Sequence, residues 1–412
     1  MANQQWMEKY AELALRTGVN LQQNQALMIN STIEGADFTR IVAKKAYELG
    51  AKNVQINWTD DELSLLKFQH VSADELANIP QWQIDKNLSM AKDGAALLSI
   101  RSTNPDLLKG IDAEKVGRFN KASAEAMKEF RQYTMNDRIR WSIISIPTAK
   151  WAQKIFPNLS EEEAIESLWE QIFKIVRVDK DDPILAWEKH NETLHKAHEY
   201  LNKKAFKALR FQSAGTDIRF KLPQGHIWKG GTAKTPDGKS FNPNMPTEEV
   251  FTVPHKYGVD GKVTATKPLV YGGNLIDGFS LTFKEGKVVD FDAKEGYDTL
   301  KQLLEMDEGA KRLGELALVP HSSPISQSNL IFYNTLFDEN ASCHIALGKA
   351  YPTNLEGGSS MNEEELDQHG VNDSLTHVDF MIGSADLNID GENEDGTTDA
   401  IFRNGEWAIK FE

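Results

Sequence analysis

The sequence predicts an α/β domain followed by an α+β domain. Three observations carry this. In the first half, short apolar runs alternate with stretches of helical spacing. Near residue 180 the run Asp179-Lys-Asp-Asp-Pro183 interrupts that pattern. Beyond it, strands of alternating hydrophobicity dominate, with hairpin-turn dipeptides among them. Alternating strands and helices imply a mostly parallel sheet covered by helices, whereas strands joined by tight turns imply a mainly antiparallel one. The expected division is 1–182 for the α/β domain, with a cavity-shaping or structural task, and 183–412 for the α+β domain.

The elements follow in order. Residues 6–17 have helical spacing, and Gln25-Ala-Leu-Met-Ile-Asn30 reads as a buried strand. Ala36 to Leu49 repeats Phe38, Ile41, Val42, Ala46 and Leu49 on one helical face, and Gly50 supplies the stop. Val54 to Trp58 alternates as a strand, and Gly94–Ile100 and Trp141–Ile146 are two further buried-type strands. Glu161 to Val178 is an amphipathic helix whose acidic start complements the helix dipole. Pro183 to Lys204 is the next helix. Later strands are expected at Leu209–Gln212, Asp217–Leu222, Val250–Val253, Val263–Thr266, Ser280–Phe291 and Ala400–Ile409. Glu285-Gly286 and Asn404-Gly405 are hairpin-turn dipeptides. One long helix, from Gly296 to about Leu316, is expected among these strands.

The chain has 412 residues, of which 40% are apolar and 26% charged, enough for two packed cores. Its net charge of −15 leaves no basic surplus for nucleic acid and gives a field that attracts free amines. The single cysteine, Cys343, permits no internal disulfide, which suits a reducing compartment. The first residues lack the apolar core of a signal peptide, and no stretch approaches the ~20 apolar residues of a membrane span. The expectation is a soluble cytoplasmic protein.

Several motif-like stretches carry no chemistry. Asp386-Leu-Asn-Ile-Asp-Gly391 opens like a calcium loop, but Thr397 stands where the closing glutamate belongs, so a solvated acidic loop is expected. His190, Glu192, His195, His198 and Glu199 crowd one helix without a second Glu-x-x-His step, and read as a solvent-facing helix. Gly273 to Gly278 has phosphate-loop spacing, but Phe279 replaces the required lysine. After the first strand stands Ser31-Thr-Ile-Glu-Gly35 and not a dinucleotide fingerprint. His-Glu-x-x-His and Gly-x-Ser-x-Gly are both absent, and Cys343 has no catalytic-cysteine context.

His377-Val378-Asp379 lies in an apolar run that reads as a strand, so its imidazole and carboxylate share one face. With Glu249, Glu315 and His344 it would give three carboxylates and two imidazoles. That set balances two divalent ions and a bridging hydroxide, and its oxygen and nitrogen donors admit zinc, cobalt, manganese or magnesium. Residue by residue, other readings stand beside this one. Glu315 reads equally as a helix-end carboxylate, His344 as a satisfied core histidine, and Glu249 as a surface residue beside Glu248.

The stretches Asn244-Met-Pro-Thr-Glu-Glu249-Val-Phe-Thr-Val-Pro254, Gly314-Glu315-Leu-Ala-Leu-Val-Pro320, His344-Ile-Ala-Leu-Gly-Lys-Ala-Tyr351 and Asn372-Asp-Ser-Leu-Thr-His377-Val-Asp379-Phe-Met-Ile-Gly383 make the selection. In their order and spacing they resemble the aminopeptidase T / aminopeptidase S family of two-metal exopeptidases. The resemblance extends over the whole chain, including Tyr10-Ala-Glu-Leu-Ala-Leu-Arg-Thr-Gly-Val-Asn20. It implies that Glu249, Glu315, His344, His377 and Asp379 ligate two divalent metal ions and that Tyr351 is the active-site tyrosine. It further implies a homodimeric aminopeptidase that releases N-terminal residues from short peptides through a metal-bridged hydroxide. Glu248 is a candidate proton shuttle by adjacency. A cofactor-dependent enzyme built on the N-terminal domain and a non-catalytic metal- or peptide-binding module are the alternatives.

Overall fold

The computed structural model of the chain describes residues 4–102 and 104–411. It has two compact units, Met1–Asn191 with Thr232–Thr247, and Glu192–Gly231 with Glu248–Glu412.

The first unit holds a four-stranded sheet in the order Asn53–Thr59, Ala26–Thr32, Ala96–Arg101, Trp141–Ser145, with every neighbour parallel. The expected α/β architecture is therefore present. Of the three strands read as buried-type, Ala26–Thr32 and Ala96–Arg101 are the central ones and are buried along nearly their whole length, whereas Trp141–Ser145 lies at an edge and is partly exposed. The alternating Asn53–Thr59 lies at the edge and is half exposed. Helix Glu161–Ile175 starts at Ser160 with a reciprocal capping box to Glu163, which satisfies two backbone donors at its acidic end. Its Trp169 and Phe173 stack 5.0 Å apart, and Tyr10 meets Phe173 edge-on. The N-terminal helix covers Gln4–Leu13 and then widens into a π-turn at Ala14–Gly18.

Helix Pro183–Lys204 departs from its expected solvent-facing character. It buries Trp187, Leu194, Ala197 and Leu201, a stripe at helical spacing that the crowd of charges masked. Its histidines are half-buried as a result.

The second unit is built from antiparallel sheets, as expected. The larger runs Lys287–Asp292, Ser280–Lys284, Val259–Thr264, Thr216–Lys221, Ala208–Ser213, Asn388–Glu392, Thr398–Arg403, Glu406–Trp407. Glu285 and Gly286, both with positive φ, make one of its hairpin turns, and Asn404 and Gly405 another. The stretch with a calcium-loop opening is not a loop. Asn388–Glu392 pairs on both sides, and Asp386 accepts from the Ala214 amide and the Ser384 hydroxyl. The smaller sheet runs His377–Met381, His344–Gly348, Leu313–Leu318, Val250–Thr252, Lys229–Gly230. Val250, Leu313, Leu316, Leu318, Ile345, Leu347 and Phe380 on this sheet join one buried core with Phe211, Phe220 and Ile389 of the larger one.

The long helix expected to end near Leu316 is a shorter one. It spans Tyr297–Leu304, and Glu315 lies on the strand Leu313–Leu318, all six residues of which are buried. Leu300, Leu303 and Leu304 do repeat at helical spacing, but the Leu-Gly-Glu-Leu-Ala-Leu run alternates with period two once its bulge is counted.

Candidate metal centre

Strand register brings the site together. Glu315 and Asp379 both stand opposite Ala346, one from each side. His344 stands opposite Ala317, and His377 opposite Gly348. Directly paired residues share a face, as do residues two apart on one strand. Glu315, His344, His377 and Asp379 therefore project from the same face. Between them stand Ala317 and Ala346, whose side chains are single methyl groups, and Gly348, where an added Cβ would meet the Thr376 backbone at 2.2 Å. Phe251 pairs with Ala317, and Glu249 lies two residues before it at the strand's entrance. Leu316, Leu318, Ile345 and Phe380 point to the opposite face and enter the core.

The five side chains form two overlapping groups. In one, single donor atoms of Glu249, Glu315 and His344 lie within 4.8 Å of one another; in the other, those of Glu315, His377 and Asp379 do. Glu315 belongs to both through different oxygens. Its Oε1 is 3.6 Å from His344 Nε2, and its Oε2 is 3.6 Å from His377 Nε2. His377 Nε2 is also 3.5 Å from Asp379 Oδ2.

Both imidazoles are oriented from behind. His344 Nδ1 is 3.1 Å from the Ser342 carbonyl, and His377 Nδ1 is 2.7 Å from the Lys349 carbonyl. Carbonyls only accept, so each Nδ1 carries hydrogen and each Nε2 faces the cluster. His344 Nε2 approaches Glu249 Oε2 to 2.8 Å, yet no donor is aligned on that oxygen. The contact is electrostatic. Asp379 Oδ1 is likewise buried without a hydrogen-bond partner. Two inward imidazole nitrogens, two buried carboxylates with a half-buried third, and two unsatisfied carboxylate oxygens fit divalent cations coordinated by nitrogen and oxygen.

The electrostatics reflect crowded buried charge. Burial, then the Asp379 and Glu249 carboxylates, pushes Glu315 up to about 7, against the lowering contact with His344. Burial alone would lower both imidazoles. The Glu249 and Glu315 carboxylates instead raise His344 well above its ordinary range, and Asp379 and Glu315 raise His377 to about 9. Asp379 is held below the usual carboxylate range by His377, against the opposing effect of its burial.

Tyr351 sits edge-on to His377, with ring centroids 5.1 Å apart. Burial, then the Glu315 and Asp379 carboxylates, pushes its phenol well above the tyrosine range, so it is a neutral O–H donor. One carboxylate escaped the sequence reading. Glu339 is buried, and burial together with Asp379 and Glu249 raises it well above the carboxylate range. It lies in a one-turn helix within Asp-Glu-Asn, where no periodicity separates it from surface acids. Glu248 is buried too, and its amide donates to Asn340 Oδ1 at 2.7 Å. The Cys343 thiol is pushed up to about 12 by burial and donates to the Val319 carbonyl, so it is no nucleophile.

A family model described as thermophilic metalloprotease (M29) matches residues 3–407. Aminopeptidase 2 of Geobacillus stearothermophilus is 55% identical over 405 residues, covering 98% of each chain. Aminopeptidase AmpS of Bacillus subtilis is 51% identical over 405 residues, 98% of this chain and 99% of that one. The solved structure of wild-type AmpT from Thermus thermophilus superposes with a TM-score of 0.91 at 43% identity, covering 98% of this chain and all of that one.

Proposed function

This chain belongs to the thermophilic metalloprotease family M29, and from that premise we propose that it is a two-metal aminopeptidase acting on short peptides. The observation that supports this most is the division of Glu315 between two three-residue groups. Glu249, Glu315 and His344 would hold one ion, and Glu315, His377 and Asp379 the other. When bound, such ions acidify water and polarise the scissile carbonyl. Paired imidazole and carboxylate donors favour zinc or cobalt over magnesium. The cofactor-dependent and non-catalytic alternatives lose ground against this family membership.

The chain's own groups supply the rest. The Tyr351 hydroxyl donates a hydrogen bond to the developing oxyanion. Glu339, buried among the site carboxylates, accepts and returns the proton, a task that adjacency had given to Glu248. The negative cluster attracts the ammonium of a free N-terminus. We further assign the protein to the cytoplasm, as its buried lone cysteine suits, and to a homodimer, which sedimentation at micromolar concentration would check. No described helix is long and apolar enough to cross a membrane.

The deciding experiment is hydrolysis of an amino-acid p-nitroanilide after dialysis against chelator, then with zinc or cobalt restored. Activity is expected to vanish and return, and the N-acetylated substrate should remain uncut. Chelator-resistant turnover, or equal cleavage of the blocked substrate, would reject the reading. Tyr351→Phe should lower kcat by roughly 10²-fold with metal content unchanged, the usual effect of losing one oxyanion donor. Glu339→Gln should also lower kcat with metal retained; loss of metal instead would make Glu339 a ligand.

Metal loading should release protons. At pH 7 the metal-free His344 and His377 hold theirs, because both are raised. Ligation requires neutral imidazoles and an ionised Glu315, whose carboxyl at about 7 is half protonated at this pH, so between two and three protons should appear per loaded chain, measurable by calorimetry in buffers of different ionisation enthalpy. The same shifts set a stability window. A raised imidazole contributes fully below its unfolded value of about 6.5 and loses that contribution as pH rises through its folded value. For His377 that value is about 9. The metal-free melting midpoint should therefore decline across this interval.

A further inference from the structure

Asn372 grips the chain on one side of Lys349. Its Nδ2 donates to the Gly348 carbonyl at 2.6 Å, and its backbone carbonyl accepts from the Ala350 amide at 2.9 Å. On the other side, the Lys349 amide donates to the Thr376 carbonyl at 2.7 Å, and the Lys349 carbonyl stands 2.7 Å from His377 Nδ1. A trans peptide is planar, with its N–H and C=O pointing opposite ways. Fixing the Ala350 N–H on Asn372 therefore aims the Lys349 C=O at the imidazole. Asn372, Gly348 and Ala350 are buried, so the bonds between them have no water as an alternative partner.

The Asn372 side chain is itself held. The same Nδ2 donates to the Gly309 carbonyl at 2.8 Å. Two carbonyl partners, which only accept, make this atom the amide nitrogen. Asp307 ties down the residues that follow. Its Oδ1 accepts from the Ser374 hydroxyl and the Ala310 amide, both at 2.8 Å, and its Oδ2 accepts from the Leu375 amide at 2.7 Å. The turn that carries Gly309 and the segment that leads into His377 are thus joined through one carboxylate. All of these residues belong to the second unit.

We propose that Asn372 is a positioning residue: by holding the peptides on both sides of Lys349, it aims the Lys349 carbonyl at His377 and keeps Nε2 turned toward Glu315 and Asp379. This rests on the reading of His377 as a metal ligand. A residue that only satisfies two carbonyls would act on stability alone. A positioning residue acts on the His377 ring and on the ion of the Glu315–His377–Asp379 group, and spares the other ion.

The test uses the full chain with Asn372→Ala, which removes both side-chain hydrogen bonds, and Val371→Ala as the comparison. Val371 shares a small core with Val253, Ala350 and Leu355, so its truncation loosens the same stretch yet leaves the Asn372 amide in place. Cobalt is titrated into metal-free protein and followed by visible absorbance. In Asn372→Ala one of two equivalents should weaken by about 10–100-fold, the usual consequence of losing an outer partner of a ligand. The other equivalent should remain, and Val371→Ala should bind both as the wild type does. Equal weakening of both equivalents, no weakening, or the same loss in Val371→Ala assigns Asn372 to the fold alone and overturns the proposal. Nuclear magnetic resonance of metal-free protein with isotopically labelled histidine separates this from the reading of the site. The Nδ1 proton of His377, identified by its absence in His377→Ala, should exchange with water faster in Asn372→Ala than in the wild type or Val371→Ala, whether or not the chain binds cobalt. An unchanged rate disproves the grip, whereas failure of the wild type to take up cobalt defeats the metal reading alone. If Asn372→Ala does not fold, Asn372→Ser, which keeps one donor, takes its place, with a smaller loss expected in the same equivalent and the same outcomes against the proposal.

Discussion

Glu315→Gln is expected to lower turnover by at least about 10³-fold and to remove most bound metal, with the chain still folded. Glu315 is the residue common to both donor groups, one oxygen facing His344 and the other facing His377. The amide keeps the shape, but it presents a neutral oxygen to one group and an NH2 to the other, which coordinates nothing. Both cation positions therefore lose a ligand at once. Each tenfold of rate corresponds to about 1.4 kcal/mol, and polarisation of the carbonyl alone accounts for several kcal/mol. The folded state should survive, because burial is what raises the Glu315 carboxyl to about 7, and a neutral amide avoids that desolvation. Loss of its attraction to His344 and His377 works in the other direction. The metal-free melting midpoint should consequently stay within a few degrees of wild type at pH 8. His344→Ala, which empties one group only, should retain binding at the other. Full turnover in Glu315→Gln with metal supplied would remove the basis for a shared ligand. A collapse of the metal-free fold would show that the residue is structural.

The contrast between these variants also marks what the sequence could reveal. Strand and helix alternation in the first half was legible because Ala26–Thr32 and Ala96–Arg101 are buried on both faces and so read as unbroken apolar runs. The pairing of His377 with Asp379 was legible for the opposite reason: on a strand, alternate residues share a face. Glu315 was assigned to the wrong element. Leu300, Leu303 and Leu304 set a helical rhythm, and the Leu-Gly-Glu-Leu-Ala-Leu run that follows has no simple alternation, because a bulge shifts its phase. Selection of the five residues came from resemblance, since periodicity cannot distinguish one buried carboxylate from another. Glu339 went unread for a related reason. It lies in a one-turn helix, where its burial depends on long-range packing that no local pattern encodes.

That bulge carries the second large prediction. Leu313 pairs with Leu347, and two positions later Glu315 pairs with Ala346, so the strand Leu313–Leu318 gains one residue at Gly314. In a regular strand, without the bulge, Leu313 and Glu315 are two apart and would share a face. With it, Leu313 enters the core while Glu315 turns toward the histidines. A Cβ at position 314 would lie 2.4 Å from the carbonyl carbon and oxygen of Lys349 and 2.5 Å from the Gly348 oxygen, all backbone atoms that cannot swing aside. The same Lys349 oxygen orients His377 through Nδ1. Gly314→Ala should therefore destabilise the second unit by roughly 3 kcal/mol, or about 6–12 °C in its melting midpoint, and weaken metal binding even where the protein stays folded. Gly396→Ala is the control. Its φ of +84° is strained for alanine, but nothing lies within 4 Å of the added carbon, so only about 1 kcal/mol should be lost and metal binding should be untouched. If Gly314→Ala melts and binds cobalt like Gly396→Ala, the close approach at 314 is not what aims Glu315, and the orientation must come from the flanking pairs Leu316–Ile345 and Ala317–His344 instead.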